Sequence, residues 1–131
     1  MSEQVERADV LADVVRLHAD YARLIDAREA QAWSLLFTED GLLIREDKPP
    51  VEGRAQLVTF AAESPAGVHL PGLPTVEPQS DGSVIATAHF VFVNGATRRI
   101  VAGVYRDDLV RGGTGLVFRR RDIQAGALLD L

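Results

Sequence analysis

The sequence of 131 residues contains no cysteine and no long apolar run. Without cysteine there can be no disulfide framework, no thiolate nucleophile and no zinc site with cysteine ligands. This composition agrees with a reducing cytoplasm, where we expect the protein to be found. The apolar runs are far shorter than the ~20 residues that a membrane-spanning helix needs. The N-terminal segment MSEQVERADV is acidic and lacks the apolar core of a secretory signal, so we expect no membrane partner.

Basic residues are too few for a general nucleic-acid binder. Lys and Arg number 14 against 19 Asp and Glu, for a net charge of −5, whereas polyanions are held mainly by Lys and Arg. The basic cluster Arg119–Arg121 is predicted to lie on a strand, where successive side chains alternate between the two faces. A solvated strand edge is the simpler interpretation, with Arg121 able to face inward and pair with an acid such as Asp107. The sequence therefore predicts no nucleic-acid partner.

Motifs for cofactors and metals are also missing from the sequence. It has no Gly-rich phosphate-binding pattern, and no group of His, Asp and Glu has the spacing of metal ligands, so we expect neither a cofactor nor a metal. What remains is the composition of an ordinary globular protein, with 47% hydrophobic and 25% charged residues. A chain of this size buries about two-thirds of its unfolded surface, enough for a core and one enclosed pocket. Residues 1–131 are therefore expected to form a single domain.

The order of elements is two or three helices followed by long strands. Helices are predicted from an N-cap at Ser2 to Asp26, over 28–37 with a stop at Gly41, and over 53–63. Strands are predicted over 41–46, 68–79, 83–94, 97–111 and 116–122, and the apolar tail AGALLDL is expected to dock. Helices segregated from an antiparallel sheet form an α+β domain. The long strands and the broken strand over 68–79 predict a curved sheet that wraps the helices as a cone with an interior pocket.

Asp26 occupies an unusual position on the first helix. On a helical wheel it shares the apolar face with Ala8, Ala19 and Ala22, whereas the acids after the first turn lie on the polar arc. The wheel leaves two interpretations open. The carboxylate either turns into solvent at the helix end, or it is held in an apolar cavity where it can act as a base or pair with a histidine. His18 also lies within the apolar arc, about 12 Å along the axis from Asp26, and is predicted to be a core or interface histidine.

The string YARLIDAREAQAWSLLFTEDGLL, with GVYRDDLVR and FRRRD, resembles the SnoaL-like branch of the nuclear-transport-factor-two-like superfamily. The positions that carry the resemblance are Tyr21, Asp26, Phe37, Asp40, His69, Gly103, Tyr105, Asp107 and Arg121. The resemblance implies a cone-shaped α+β barrel, in which a curved antiparallel sheet wraps three helices. It also implies a homodimer that forms through the outer face of the sheet.

The resemblance further implies a class of reaction. In dehydratases and dehydrochlorinases of this superfamily, an Asp at the end of the first helix orients a strand His that removes a proton from the substrate. Asp26 and His69 match these two residues. We therefore expect a cofactor-independent lyase or isomerase that acts on an apolar small molecule. Many relatives have no known activity, and one fold hosts several reactions, so the alternative is a non-catalytic ligand-binding or dimerisation module.

Four further residues are candidates for contact with the ligand. Tyr21 can donate its O–H to a developing oxyanion, although it lies about 140° from Asp26 on the helical wheel. Trp33 is either a core anchor or part of the cavity wall. His89 falls where the resemblance to scytalone dehydratase implies a second strand histidine, with a packed or exposed position as the alternative. Tyr105 belongs to the Gly-x-Tyr-x-Asp strand of the family.

Overall fold

Residues 3–130 are described by the computed structural model, with side chains placed for residues 6–126. The predicted N-cap, Ser2, lies outside the described residues. Three helices are formed: α1 (Glu3–Asp26), α2 (Ala30–Ser34) and α3 (Arg54–Glu63). None of them is both long enough and apolar enough to cross a membrane. The first and third helices agree closely with the sequence prediction.

The second helix is shorter than predicted. The chain enters strand β1 (Phe37–Arg45) at Phe37, so the prediction that a helix runs to this residue and stops at Gly41 is wrong. Gly41 lies inside the strand, where a Cβ atom would come within 2.7 Å of the Phe37 Cβ. The pairing register of β1 shifts between Phe37 and Leu42. The glycine therefore permits a bulge in a strand rather than the end of a helix.

Six further strands complete the sheet: β2 (Val51–Glu52), β3 (Gly67–Pro71), β4 (Thr75–Pro78), β5 (Val84–Asn94), β6 (Arg99–Arg111) and β7 (Leu116–Asp130). The strand order is β2-β1-β7-β6-β5-β3, and β4 also pairs with β5. The α+β class and the curved sheet over three helices are confirmed. The sheet is mixed rather than wholly antiparallel as predicted, because β1 pairs with β7 in parallel while the other pairs are antiparallel. It is also unclosed.

Two strands differ from their predicted bounds. The irregular strand predicted over 68–79 forms two strands, β3 and β4, which both pair with β5. The last strand continues to Asp130 rather than ending at Asp122, and its final residues pair with β6 as far as Arg99. The predicted docking of the tail is thereby confirmed for its backbone up to Asp130.

The core lies between α1 and the inner face of the sheet. Helix α1 buries one side at helical spacing, through Val10, Val14, Leu17, Tyr21, Leu24 and Ile25. The sheet and the shorter helices contribute side chains that are completely buried: Trp33, Leu43, Leu57, Leu109 and Phe118. Their apolar area removed from water is the main favourable term in folding. The last turn of α1 is thus held firmly against the sheet, which positions Asp26.

Candidate functional site

The C-terminal end of α1 has a defined geometry that fixes Asp26. Arg28 takes the left-handed backbone conformation, with φ of 60°. The Glu29 N–H donates to the Leu24 carbonyl over 2.9 Å, and the Arg28 N–H donates to the Ile25 carbonyl over 3.1 Å. This is the hydrogen-bond pattern of a Schellman motif, which satisfies the free carbonyls of the last turn. Asp26 is therefore the last helical residue before a fixed turn.

The side chain of Arg28 connects this turn to the third helix. Its guanidinium donates to the Ser64 carbonyl over 2.8 Å and to the Ala62 carbonyl over 2.9 Å. These carbonyls lie at the C-terminal end of α3, where backbone acceptors have no partner within the helix. One exposed arginine thus joins the ends of two helices beside the site.

Asp26 and His69 form a hydrogen-bonded pair. The Asp26 Oδ1 lies 2.6 Å from the His69 Nδ1, and the His69 backbone N–H donates to Asp26 Oδ2 over 2.9 Å. An ionised carboxylate can only accept hydrogen bonds, so the short contact assigns the proton to Nδ1 and leaves Nε2 with a free lone pair. Both side chains are partly buried, with exposed fractions of 22% for Asp26 and 16% for His69.

Strand β3 places His69 over an aromatic surface. His69 pairs with Phe92 on β5, and the centroids of the two rings lie 4.4 Å apart. The Tyr21 ring meets the imidazole edge-on, at a centroid distance of 6.3 Å. The wheel angle between Tyr21 and Asp26 therefore does not keep them apart, since both contact the same imidazole from different sides.

A cavity of about 1120 Å³ opens beside this pair. Its wall is largely apolar or aromatic and includes Tyr21, Ile25, Phe60, His69, Phe90, Phe92, Val101, Tyr105, Ile123 and Ala125. Its charged members are Arg45, Glu46, Asp47, Lys48, Glu63 and Arg99. Asp26 does not line the cavity. It lies behind His69, where it can orient the imidazole without touching a ligand.

Two of the predicted ligand-binding residues do not line this cavity. Trp33 is completely buried and packs against the rings of Tyr21 and Phe60, behind the cavity wall. His89 is exposed, because it alternates with Phe90 and so faces the outer side of β5. Tyr21 and Tyr105 do line the cavity, as expected for ligand contacts.

A buried polar cluster of His18, Asp107 and Arg121 lies beneath the two tyrosines. The Arg121 Nε and Nη2 donate to the two Asp107 carboxylate oxygens over 2.7 and 3.0 Å, which confirms the predicted pairing. The His18 Nε2 lies 2.7 Å from Asp107 Oδ2. The prediction of a core position for His18 is confirmed, but its place in this cluster was not predicted. Only the fold brings together three residues so distant in sequence.

Burial and neighbouring charges shift the pKa values of His18 and Asp107 within this cluster. Burial lowers the pKa of His18, the Asp107 hydrogen bond opposes that effect, and the nearby Arg121 charge adds to it. His18 is therefore neutral and donates its Nε2 proton to Asp107 in a hydrogen bond, rather than forming an ion pair. Burial alone raises the pKa of the Asp107 carboxyl, but the Arg121 charge and the hydrogen bonds from His18 and Arg121 bring it below its ordinary value.

The Arg121 guanidinium also supports the cavity tyrosines. It lies 3.5 Å from the centroid of the Tyr105 ring and 4.3 Å from that of Tyr21. Burial raises the pKa of both phenols, against the opposing Arg121 charge. Both tyrosines therefore stay protonated and are fixed in place as potential hydrogen-bond donors.

Arg45 is a cavity residue that the sequence did not single out. It follows Leu43 by two positions on β1 and so shares its inner face. Its guanidinium carbon lies 4.9 Å from the centroid of the Phe60 ring, and its buried Nε has no hydrogen-bond partner. Within the described part of the chain, no three His, Asp or Glu side chains converge as metal ligands.

A family model described as a SnoaL-like domain matches residues 6–122, which is most of the chain. No curated protein matches the sequence. The solved structures described below match 93–99% of the chain at identities of 16–23%, where the similarity shows the fold alone.

Three of these structures illustrate the shared fold. An NTF2-like protein with a cystatin-like fold from Novosphingobium aromaticivorans is 21% identical, with a TM-score of 0.82 over 93% of this chain and 85% of that one. Rv3472 from Mycobacterium tuberculosis, a protein of unknown function solved as an aspartate-to-asparagine variant, is 23% identical, with a TM-score of 0.86 over 98% and 79%. LinA is 16% identical, with a TM-score of 0.86 over 99% and 95%.

Proposed function

The chain belongs to the SnoaL-like family, and on that basis we propose that it is a small cofactor-independent lyase or isomerase for an apolar small molecule. One observation carries the proposal. His69 lines the cavity, is hydrogen-bonded through Nδ1 to Asp26, and has no described hydrogen-bond partner at Nε2. A nitrogen with a free lone pair on an apolar wall is suited to accept a proton from a bound molecule.

His69 acts as the general base in this proposal. Nε2 takes a proton from an activated C–H bond, and Asp26 stabilises the resulting imidazolium. In an isomerisation the electron pair moves onto a neighbouring carbonyl oxygen, and the proton returns to a different carbon. In an elimination the electron pair forms a double bond, and the leaving group departs with the electron pair of its bond to carbon. A leaving group that must be protonated takes the proton from the His69 imidazolium.

Tyr21 and Tyr105 supply the polar groups for a developing oxyanion. Both line the cavity and stay protonated because burial raises their pKa values. A fixed O–H donor aimed at developing negative charge needs no reorganisation when the reaction occurs. Their contact with the Arg121 guanidinium holds the rings in place.

The proposal is tested by exchange of an activated C–H bond with solvent deuterium, because exchange reports proton removal whatever the final product. A panel of cyclic, aromatic and terpenoid ketones is incubated with the protein in heavy water and followed by proton NMR. We expect His69→Gln to slow exchange by about 10²–10⁴-fold, the range of general-base contributions. Asp26→Asn should also slow it strongly, since an amide cannot stabilise the imidazolium.

The matched control is His89→Gln, because His89 is exposed on the outer face of the same sheet. That variant should exchange at the wild-type rate. Thermal unfolding of each variant shows whether the fold is kept. Exchange at the wild-type rate in a folded Asp26→Asn protein would contradict the mechanism.

The alternative function is a non-catalytic ligand-binding module that uses the same cavity. It is supported by the size and apolar wall of the cavity, which need no chemistry to hold a ligand. A ligand that binds the folded state raises the unfolding temperature. Ligands that stabilise the protein without any exchange above the buffer rate would favour this module over the enzyme.

We also propose that the partner of one chain is a second copy, bound through the outer face of the sheet. Val68 and Leu70 on β3 are 50% and 55% exposed. Their cross-strand partners on β5, Val93 and Val91, lie on the same outer face. Exposed contiguous apolar surface of this kind is typical of an interface.

The cytoplasmic location expected from the cysteine-free composition stays a prediction.

A further inference from the structure

We propose that Arg45 is a receptor for a carboxylate group on the ligand, so that the molecule bound in the cavity has an apolar body and one anionic end. The inference rests on the proposed function in one respect, that the cavity beside His69 is the ligand site. It adds the chemical class of the ligand. Its starting point is a cation on an inner strand face that would ordinarily hold apolar side chains.

Arg45 lacks the acidic partner that a cation in such a position usually has. Among the described side chains it makes no ion pair and donates no hydrogen bond, and its Nε atom is buried without a partner. Two other arginines near the core have several partners, although the Nη1 atom of Arg121 is also buried without one. Arg121 binds Asp107 through two nitrogens, and Arg54 donates to the backbone carbonyls of Ser34 and Phe37. Arg45 therefore keeps N–H donors available for an acidic group on a ligand.

The guanidinium is nevertheless held in position. Its guanidinium carbon lies 4.9 Å from the centroid of the Phe60 ring, and the attraction between a cation and an aromatic face uses none of its N–H donors. Arg45 and Tyr21 both line the cavity. The receptor and the tyrosine therefore belong to one site.

Three acids and two other cations also line the cavity: Glu46, Asp47, Glu63, Lys48 and Arg99. None of the three acids forms an ion pair with Arg45. Lys48 is a flexible, exposed point charge. Arg99 already has a partner interaction. The planar fork of Arg45 is thus the cation best suited to bind a carboxylate through two parallel hydrogen bonds.

The test compares two probes of nearly the same shape, the anion naphthoate and the neutral naphthamide, by isothermal titration calorimetry. We expect the wild-type protein to bind naphthoate about 10- to 100-fold more tightly than the amide, in line with hydrogen bonds to a charged group. In Arg45→Gln the preference should fall to about twofold or less, with the amide affinity unchanged. Arg45→Lys should retain part of the preference, because it keeps the charge but loses the fork.

The matched control is Arg106→Gln, since Arg106 is exposed on another strand and pairs with Asp108. It should keep the full preference for naphthoate. The proposal is overturned if the wild-type protein does not discriminate between the probes, including the case in which it binds neither. It is also overturned if Arg45→Gln retains the preference, which would assign it to another cation, or loses affinity for both probes equally.

This binding measurement needs no turnover and therefore separates the receptor from the proposed catalysis. A preference that follows Arg45 in a protein without deuterium exchange supports the receptor and refutes the enzyme. Deuterium exchange in a protein that shows no preference for naphthoate supports the enzyme and refutes the receptor.

Discussion

His18 shows how one buried side chain makes stability depend on pH. It is 2% exposed, and burial holds its pKa below 6.5, the ordinary value that it regains in the unfolded chain. Between these two pKa values the unfolded chain binds more protons than the folded one. Stability must therefore rise with pH in this window, and it is lost as the pH falls below 6.5.

We predict that the free energy of unfolding decreases on acidification from pH ~7 to pH ~5, with a His18 contribution of at most about 1.4 kcal/mol per pH unit. Urea unfolding at a series of pH values measures it. His18→Gln should flatten the dependence, whereas His89→Gln, which changes an exposed histidine, should not. Equal pH dependence in the wild-type and His18→Gln proteins would show that His18 is not the titrating group.

The residues of the site differ in how far the sequence could predict them. Because a helix has one periodicity, the helical wheel identified the helix face on which Asp26 lies. The family resemblance then supplied His69 as its partner. Arg45 follows the run Leu42–Ile44, in which three consecutive apolar residues leave both strand faces equally plausible. The position of Trp33 depends on how the helices pack, and the face of His89 depends on the register of β5. Local sequence propensity predicts neither.

At the scale of elements, an exposed arginine joins the ends of α1 and α3. Arg28 is in the left-handed conformation, which costs a residue other than glycine about 1–2 kcal/mol. Its guanidinium offsets this through two hydrogen bonds to the end of α3. The two effects can be separated by substitution.

We predict that Arg28→Ala lowers the free energy of unfolding by about 1 kcal/mol, because the hydrogen bonds are lost and the backbone strain is kept. Arg28→Gly loses the same bonds but relieves the strain, so it should be about 1 kcal/mol more stable than Arg28→Ala. Chemical denaturation measures both. Arg23→Ala, which breaks only an exposed pair with Asp20, should change stability by less than about 0.5 kcal/mol. A glycine variant less stable than the alanine variant would refute the assigned helix end.

The elements that the sequence missed are those defined by distant partners. Strand β1 pairs in parallel with β7, and neither segment contains a signal for the other. The end of β7 has small apolar residues without alternation, and it becomes a strand because β6 offers free backbone groups beside it. Local patterns predicted α1 and the centres of β5 and β6, where periodicity and length agree with the fold.

For the whole molecule, the open sheet leaves an apolar outer face at one edge. We predict that Leu70→Asp shifts the proposed dimer to monomer, because a charge buried in the interface would lack a partner. Analytical ultracentrifugation at several concentrations measures the shift. The control is Leu35→Asp, since Leu35 is 65% exposed and lies outside the sheet. A wild-type protein that sediments as a monomer at every concentration would contradict the proposed dimer.

The two hydrogen bonds between Asp26 and His69 also hold the edge of the sheet in place. β3 is an edge strand, joined to the sheet on one side only by β5. On the other side of β3, the Asp26 carboxylate binds both the backbone N–H and the imidazole of His69. The pair therefore fixes the free edge of the sheet whether or not the cavity converts a substrate. A change of either residue should loosen this edge as well as alter the site, whereas changes in the cavity wall leave the strand in place.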